Sequence, residues 1–125
     1  MTYRIDDAEQ VFHLDLTGRS ARQAMEDALA ILDTRPEIRG WDWTLLLPEG
    51  ATDITVDDVA TFAARFPKQT REAVSIFISE DRYLHLWARV MDFQFPGRTH
   101  LVVPDAASAA RVIGQRRSAT KMNRI

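Results

Sequence analysis

The 125-residue sequence contains no cysteine, and this absence excludes several kinds of site. A chain without thiols forms no disulfide, no cysteine-ligated zinc site and no iron–sulfur cluster, and it has no cysteine nucleophile. A chain of this length buries enough surface to fold around one apolar core without such staples. We therefore predict a single domain that carries no cofactor.

Long apolar runs are also missing. Apolar stretches such as residues 45–47 and 74–78 are far shorter than the roughly 20 residues of a membrane-spanning helix. The first residues lack the apolar segment of a signal peptide. We expect a soluble, cytoplasmic protein.

Acidic side chains are absent from the last part of the chain. Residues 106–125 carry five basic side chains and no acid, whereas residues 1–105 carry 11 basic and 18 acidic ones, a charge of −7. An acidic body repels phosphodiester backbones, so we predict no nucleic-acid partner. Basic chain ends are typical of solvated helix termini, and we predict a domain over residues 1–117 followed by a flexible basic tail at 118–125.

Strands and helices alternate along the sequence. Alternating apolar positions predict a hairpin from residues 3–5 and 11–16, and buried-strand patterns follow at 41–47, 73–78 and 100–103. Start and stop signals predict helices over about 20–34, from Thr55 to about Phe66, from Ser79 as N-cap to about Phe93, and from Asp105 to about Arg117. The order ββαβαβαβα indicates an α/β fold with a mostly parallel, five-stranded mixed sheet and about four helices.

The element order, together with the patterns at 11–18, 43–47 and 101–105, resembles the SpoIIAA-like or STAS family over residues 3–116. In the antagonist branch of that family, a phosphorylated serine lies in an Asp-Ser-Ser-Gly sequence at the start of the second helix. Residues 52–56 read Thr-Asp-Ile-Thr-Val instead, and the nearest equivalent hydroxyl, Thr55, forms a capping pattern with Asp58. The resemblance thus implies no phosphorylation switch and is closer to the branch related to lipid-binding SEC14 domains.

Ligands of open parallel sheets bind beyond the carboxyl ends of the strands, and this edge is acidic here. The residues predicted at it are Pro48, Glu49, Gly50, Asp53, Thr55, Asp57, Asp58, Ser79, Glu80, Asp81, Pro104 and Asp105. Carboxylates repel phosphate groups, and no glycine-rich phosphate loop is present, so we reject nucleotide binding. We interpret these acids as helix caps and predict no metal site.

The three histidines, His13, His85 and His100, are scattered in the sequence and do not form a metal-ligand pair. A histidine base needs a nucleophile to serve, and no nucleophile motif is present. We expect surface or second-shell histidines, no catalytic residue and no enzymatic activity.

Residues 83–95 carry more apolar side chains than the single core-facing stripe of a helix needs. The candidates for an interaction or hydrophobic-ligand site are Tyr83, Leu86, Trp87, Val90, Phe93 and Phe95. Since monomers rarely expose large apolar patches, a second subunit, a hydrophobic ligand or wrapping by neighbouring segments could cover this surplus. Trp41 and Trp43, on one side of their strand, are interpreted as core.

We predict a non-enzymatic interaction module that forms a homodimer through its third helix. The alternative is a carrier or sensor of a hydrophobic small molecule or lipid, held between that helix and the sheet, with contact to a membrane surface as a further option.

Overall fold

A computed structural model describes residues 2–18, 20–47, 55–65, 73–95 and 97–123. Within these ranges the chain forms a five-stranded sheet and four α-helices, which confirms the predicted α/β class and the order ββαβαβαβα. The elements are β1 (Thr2–Asp6), β2 (Val11–Asp15), α1 (Ala21–Thr34), β3 (Asp42–Leu46), α2 (Val56–Ala63), β4 (Ala73–Ile78), α3 (Leu84–Gln94), β5 (Arg98–Val103) and α4 (Ala106–Asn123), with a 3₁₀ helix (Pro36–Gly40) before β3. No helix of the described ranges is both long and apolar enough to cross a membrane.

The strands lie in the sheet in the same order as in the sequence. β1 pairs antiparallel with β2, as the predicted hairpin requires, and β2 to β5 pair in parallel. When each parallel crossover moves one strand along with the same right-handed sense, the connecting helices fall on one face of the sheet. Side chains of α1, α2 and α3 accordingly pack on the face that carries Leu14, Trp43 and Phe77.

Helix α4 covers the opposite face. Its residues Ala109 and Ile113 pack in one buried cluster with Val74, Ile76 and Ile78 of β4. Because β4 is an interior strand and has helices on both sides, all six of its residues are buried. This explains its nearly continuous apolar sequence, which is typical of strands in two-sided parallel sheets.

Three predicted helix caps are confirmed. Ser20 Oγ accepts a hydrogen bond from the Gln23 amide at 3.2 Å. Thr55 and Asp58 form a reciprocal capping box, with distances of 3.1 Å and 2.9 Å. Asp105 accepts from the Ser108 amide at 2.7 Å. The hydroxyls of Ser20 and Thr55 and the carboxylates of Asp58 and Asp105 therefore satisfy backbone N–H groups at helix N-termini, which is a structural role.

The predicted start of α3 is wrong. The helix begins at Leu84, with Tyr83 at the cap position, instead of directly after Ser79. Ser79 Oγ accepts from the Asp81 amide, and Asp81 Oδ1 accepts from the Tyr83 amide, each at 3.0 Å. The side chains of Ser79 and Asp81 therefore bind backbone N–H groups in two successive turns, and the helix begins only after them. Serine and aspartate commonly form such turns in competition with a helix.

Helix α4 also differs from its prediction, because it continues past Arg117 to Asn123. The Arg117 guanidinium donates to Asp42 Oδ2 from Nε at 3.2 Å and from Nη2 at 3.0 Å, and to Glu9 from Nη1 at 3.3 Å. Asp42 Oδ1 accepts from the Val74 amide at 3.0 Å. The predicted end of the domain is thus a point of attachment to β3 and β4. The flexibility of residues 118–125 stays a prediction.

Replacing Arg117 with alanine should destabilise the fold, because it leaves the buried Asp42 carboxylate without its cation. We expect Arg117→Ala to lower the free energy of unfolding in urea by about 1–3 kcal/mol. The exposed Arg111 of the same helix is the matched control, and Arg111→Ala should change stability by less than about 0.5 kcal/mol. Equal effects of the two substitutions would contradict this role of Arg117.

Candidate functional site

A cavity of about 90 Å³ lies between the sheet and helices α1, α2 and α3. Its wall is mostly apolar: the sheet contributes Leu14, Trp43, Leu45 and Phe77, and the helices contribute Met25, Ala28, Phe62, Trp87 and Met91. Protein interiors are normally packed to the density of organic crystals, with few voids larger than a water molecule. The cavity is therefore the feature of this core that packing alone does not explain.

The size of the cavity suits a small molecule. One water needs roughly 10–15 Å³, and an engineered apolar cavity of roughly 150 Å³ binds benzene. A ring-sized ligand therefore needs roughly 60 Å³ more room than the cavity of about 90 Å³ provides. Met25 and Met91 can provide it, because methionine side chains are unbranched and adapt their shape.

Two polar side chains interrupt the apolar wall next to each other. Ser75 of β4 and His100 of β5 are cross-strand partners in the parallel register, and both residues line the cavity. Each is 5% exposed. A buried polar group needs a hydrogen-bond partner, so the partners of this pair decide what the cavity accepts.

His100 is neutral in the folded protein. Burial lowers the pKa of His100 to about 4; Asp92 opposes this shift, and the positive charge of Arg98 adds to it. Asp92 Oδ1 lies 3.1 Å from His100 Nδ1 and also accepts the His100 backbone N–H at 2.6 Å. The carboxylate therefore holds the proton on Nδ1, which leaves Nε2 as a hydrogen-bond acceptor.

Arg98 places a buried positive charge in the wall. Its side chain donates to the backbone oxygen of Trp41 at 2.9 Å and of Arg39 at 3.5 Å, and its guanidinium carbon lies 5.5 Å from the Trp43 ring centroid. Peptide oxygens and an aromatic face are favourable neighbours of a guanidinium. Arg98 thus ties β5 to the segment before β3 and shapes this end of the cavity.

Serine, histidine and aspartate also form the catalytic triads of acyl-transfer enzymes, but the geometry here differs. Within the described residues, Ser75 Oγ and His100 are not hydrogen-bonded, whereas a triad needs that bond to activate the hydroxyl. Strand β4 is paired on both sides by β3 and β5, so its backbone offers no free N–H pair for an oxyanion. Both features differ from the geometry of a catalytic triad.

The six residues predicted on the third helix do not form one surface. Trp87 is half-buried and Phe95 is buried, and both line the cavity. Tyr83, Leu86 and Phe93 point to solvent with 70%, 67% and 89% exposure, and Val90 is half-buried. The apolar surplus of α3 is therefore divided between an internal site and an outer face.

The structure places the remaining predicted residues as follows. Trp41 and Trp43 are buried core residues, as predicted. His85 is exposed and His13 is half-buried, with Nδ1 2.7 Å from Thr44 Oγ1. β5 begins at Arg98, two residues before the strand predicted at 100–103, and His100 is buried within it.

At the acidic edge of the sheet, Thr55, Asp58 and Asp105 cap helix N-termini. Thr55 Oγ1 accepts the Asp58 amide, the capping role expected of it. Of the predicted edge residues, Pro48, Glu49, Gly50 and Asp53 lie outside the described ranges. Across those ranges, no cluster of histidine and acidic side chains could hold a metal ion.

Sequence reasoning missed the polar members of the cavity, Ser75, Arg98 and His100. A signal was present, because Ser75 is the one polar residue in the buried strand Ala73–Ile78. Arg98 and His100 lie two residues apart on the same face of β5, but the strand predicted at 100–103 excludes Arg98.

Comparison of the chain with protein-family models, with curated proteins and with solved structures finds no match. The SpoIIAA-like resemblance therefore stays a prediction. The two structural features that bear on function are the cavity and the exposed apolar face of α3.

The buried neutral histidine predicts a pH dependence of stability. Unfolded His100 binds a proton near pH 6.5 and folded His100 only near pH 4, so the unfolded state holds more protons between these values. Stability should therefore fall as the pH is lowered from about 6.5 to about 4, by up to about 3 kcal/mol. The pKa of His13 is also lowered, mainly by burial and then by the positive charge of Arg4. His13 therefore adds to the loss of stability as the pH falls.

Urea unfolding between pH 4.5 and 7 measures this dependence. His100→Asn should flatten it, and His85→Asn, at an exposed position, should not. The capping carboxylates Asp58 and Asp105 accept backbone hydrogen bonds that lower their pKa, so they titrate below this range. An unchanged slope in His100→Asn would contradict the neutral buried histidine.

Proposed function

We propose that this chain is a non-enzymatic binding module of the SpoIIAA-like type that holds a small apolar molecule between α3 and the sheet. The observation that carries the proposal is the apolar cavity of about 90 Å³ under three helices. Binding pockets of proteins are typically apolar with a few convergent polar groups, and this cavity has that composition.

The free energy gained by filling the cavity supports the same conclusion. A void in a core costs about 24 cal/mol per Å³ through lost contacts, which is about 2 kcal/mol for about 90 Å³. A ligand of matching shape restores those contacts and is removed from water at the same time. Both terms favour an apolar occupant about the size of one ring.

Toluene is a suitable probe, because it is apolar and has one ring. At ten times its dissociation constant, toluene should raise the free energy of unfolding by about 1.4 kcal/mol, since it binds the folded state alone. Differential scanning fluorimetry and calorimetric titration measure the effect.

A cavity-filling variant tests where toluene binds. Ala28 is 3% exposed and lines the cavity, so Ala28→Leu should occupy the space and abolish the stabilisation. Ala110, exposed on α4, is the matched control, and Ala110→Leu should bind toluene like the wild type. No stabilisation of the wild type, or equal stabilisation of a folded Ala28→Leu, would overturn the proposal.

Self-association through α3 is the second candidate, and the outer face of that helix favours it. Tyr83, Leu86, Val90 and Phe93 are spaced three, four and three residues apart, the spacing of a helix–helix seam. The three exposed members form an apolar surface of the kind that monomers rarely leave in water. A second copy of α3 would offer the same seam, as a two-fold symmetric contact requires.

Charge at this seam should separate dimer from monomer. Leu86→Glu combined with Phe93→Glu changes two exposed positions, so the fold should persist while a dimer dissociates. Ala110→Glu with Gln115→Glu places the same charge on exposed positions of α4 and should leave association unchanged. Analytical ultracentrifugation with circular dichroism measures both outcomes, and a wild-type monomer at high concentration would refute this candidate.

A further inference from the structure

The register of the sheet aligns side chains of four strands in one row, and three of them, Trp43, Ser75 and His100, line the floor of the cavity. Phe12, Trp43, Ser75 and His100 are successive cross-strand partners from β2 to β5. The first two are aromatic; the Phe12 and Trp43 rings pack edge to face with centroids 5.0 Å apart. The floor therefore changes from apolar to polar between Trp43 and Ser75.

The imidazole of His100 offers an acceptor at the polar end of this row. Its Nδ1–H donates to Asp92, and its ring lies between Phe77 and Phe95, with centroids at 6.1 Å and 5.2 Å. One hydrogen bond and two ring contacts therefore restrain the orientation of the imidazole. The side chain is 3% exposed, so water competes weakly for the lone pair on Nε2.

Ser75 supplies a hydroxyl beside that acceptor. Its side chain lines the cavity, and Ser75 Oγ forms no hydrogen bond with any of the residues that the structure describes. Because the hydroxyl lies in a mostly apolar wall, a polar group of a ligand in the cavity could pair with it. A serine hydroxyl can donate one hydrogen bond and accept others.

We propose that Ser75 and His100 recognise a hydroxyl group on the apolar ligand, an inference that rests on the proposed function of the cavity. The ligand O–H donates to His100 Nε2, and the ligand oxygen accepts from the Ser75 hydroxyl. The class of ligand is a small cyclic alcohol or phenol. A carboxylate or phosphate fits poorly, because its oxygens would face the Nε2 lone pair and the Arg98 guanidinium in the wall already donates to the backbone oxygens of Trp41 and Arg39.

A pair of probes with the same carbon skeleton isolates the hydroxyl. Toluene and p-cresol differ by one O–H group, and calorimetric titration gives the ratio of their affinities. In wild-type protein p-cresol should bind more tightly than toluene. Ser75→Ala should lower that ratio about tenfold, since it removes one of the two partners of the hydroxyl, while toluene binding persists.

His100→Asn provides a second, independent variant. The Asn amide can still donate to Asp92 in place of Nδ1–H, but it has no atom equivalent to Nε2. The p-cresol preference should fall in this variant as well. Ser118→Ala, at an exposed position of α4, is the matched control and should keep the wild-type ratio.

The outcomes separate this inference from the function on which it rests. Toluene and p-cresol binding with an unchanged affinity ratio in folded Ser75→Ala and His100→Asn overturns the hydroxyl site and leaves the cavity as an apolar one. Failure of wild-type protein to bind either probe overturns both.

Discussion

The parallel pairing of β4 with β5 is the constraint on which the site depends. This register sets Ser75 beside His100, and it orients both toward the face that α1, α2 and α3 cover. A shift of one residue would turn every side chain of a strand to the other face. It would exchange Ser75 and Phe77 for Val74 and Ile76, which now pack against α4. The same strand register therefore accounts for the contact between Ser75 and His100 and for the burial of both faces of β4.

The apolar residues of helix α3 point in two directions, toward the core and toward solvent. Leu84 and Ala88 are buried, and Trp87 and Met91 close the cavity, while Leu86 and Phe93 remain at the surface. Asp92 connects α3 to the sheet by accepting both the backbone N–H and the ring of His100. A ligand in the cavity and a partner on the outer face would therefore contact opposite sides of the same helix.

Much of the fold could be predicted from the sequence, since strand and helix periodicities are local. Residues 73–78 were predicted as a strand with the bounds the structure shows, and the caps Ser20, Thr55 and Asp105 were identified from neighbouring residues. The start of α3 was missed because the turns after Ser79 satisfy the same amides that a helix cap would. The end of α4 was missed because the contact between Arg117 and Asp42 joins distant parts of the chain.

The site was harder to predict for the same physical reason. The surplus of apolar residues on α3 indicated a ligand or a partner, but Ser75 and His100 become neighbours only through the sheet register. The most direct test of the cavity is a set of intermolecular NOEs between bound p-cresol and assigned methyl groups of the protein. We expect NOEs to the methyl groups of Met25, Leu45 and Met91, which line the cavity. NOEs confined to Leu86 and Val90, or none at saturating p-cresol, would contradict the account.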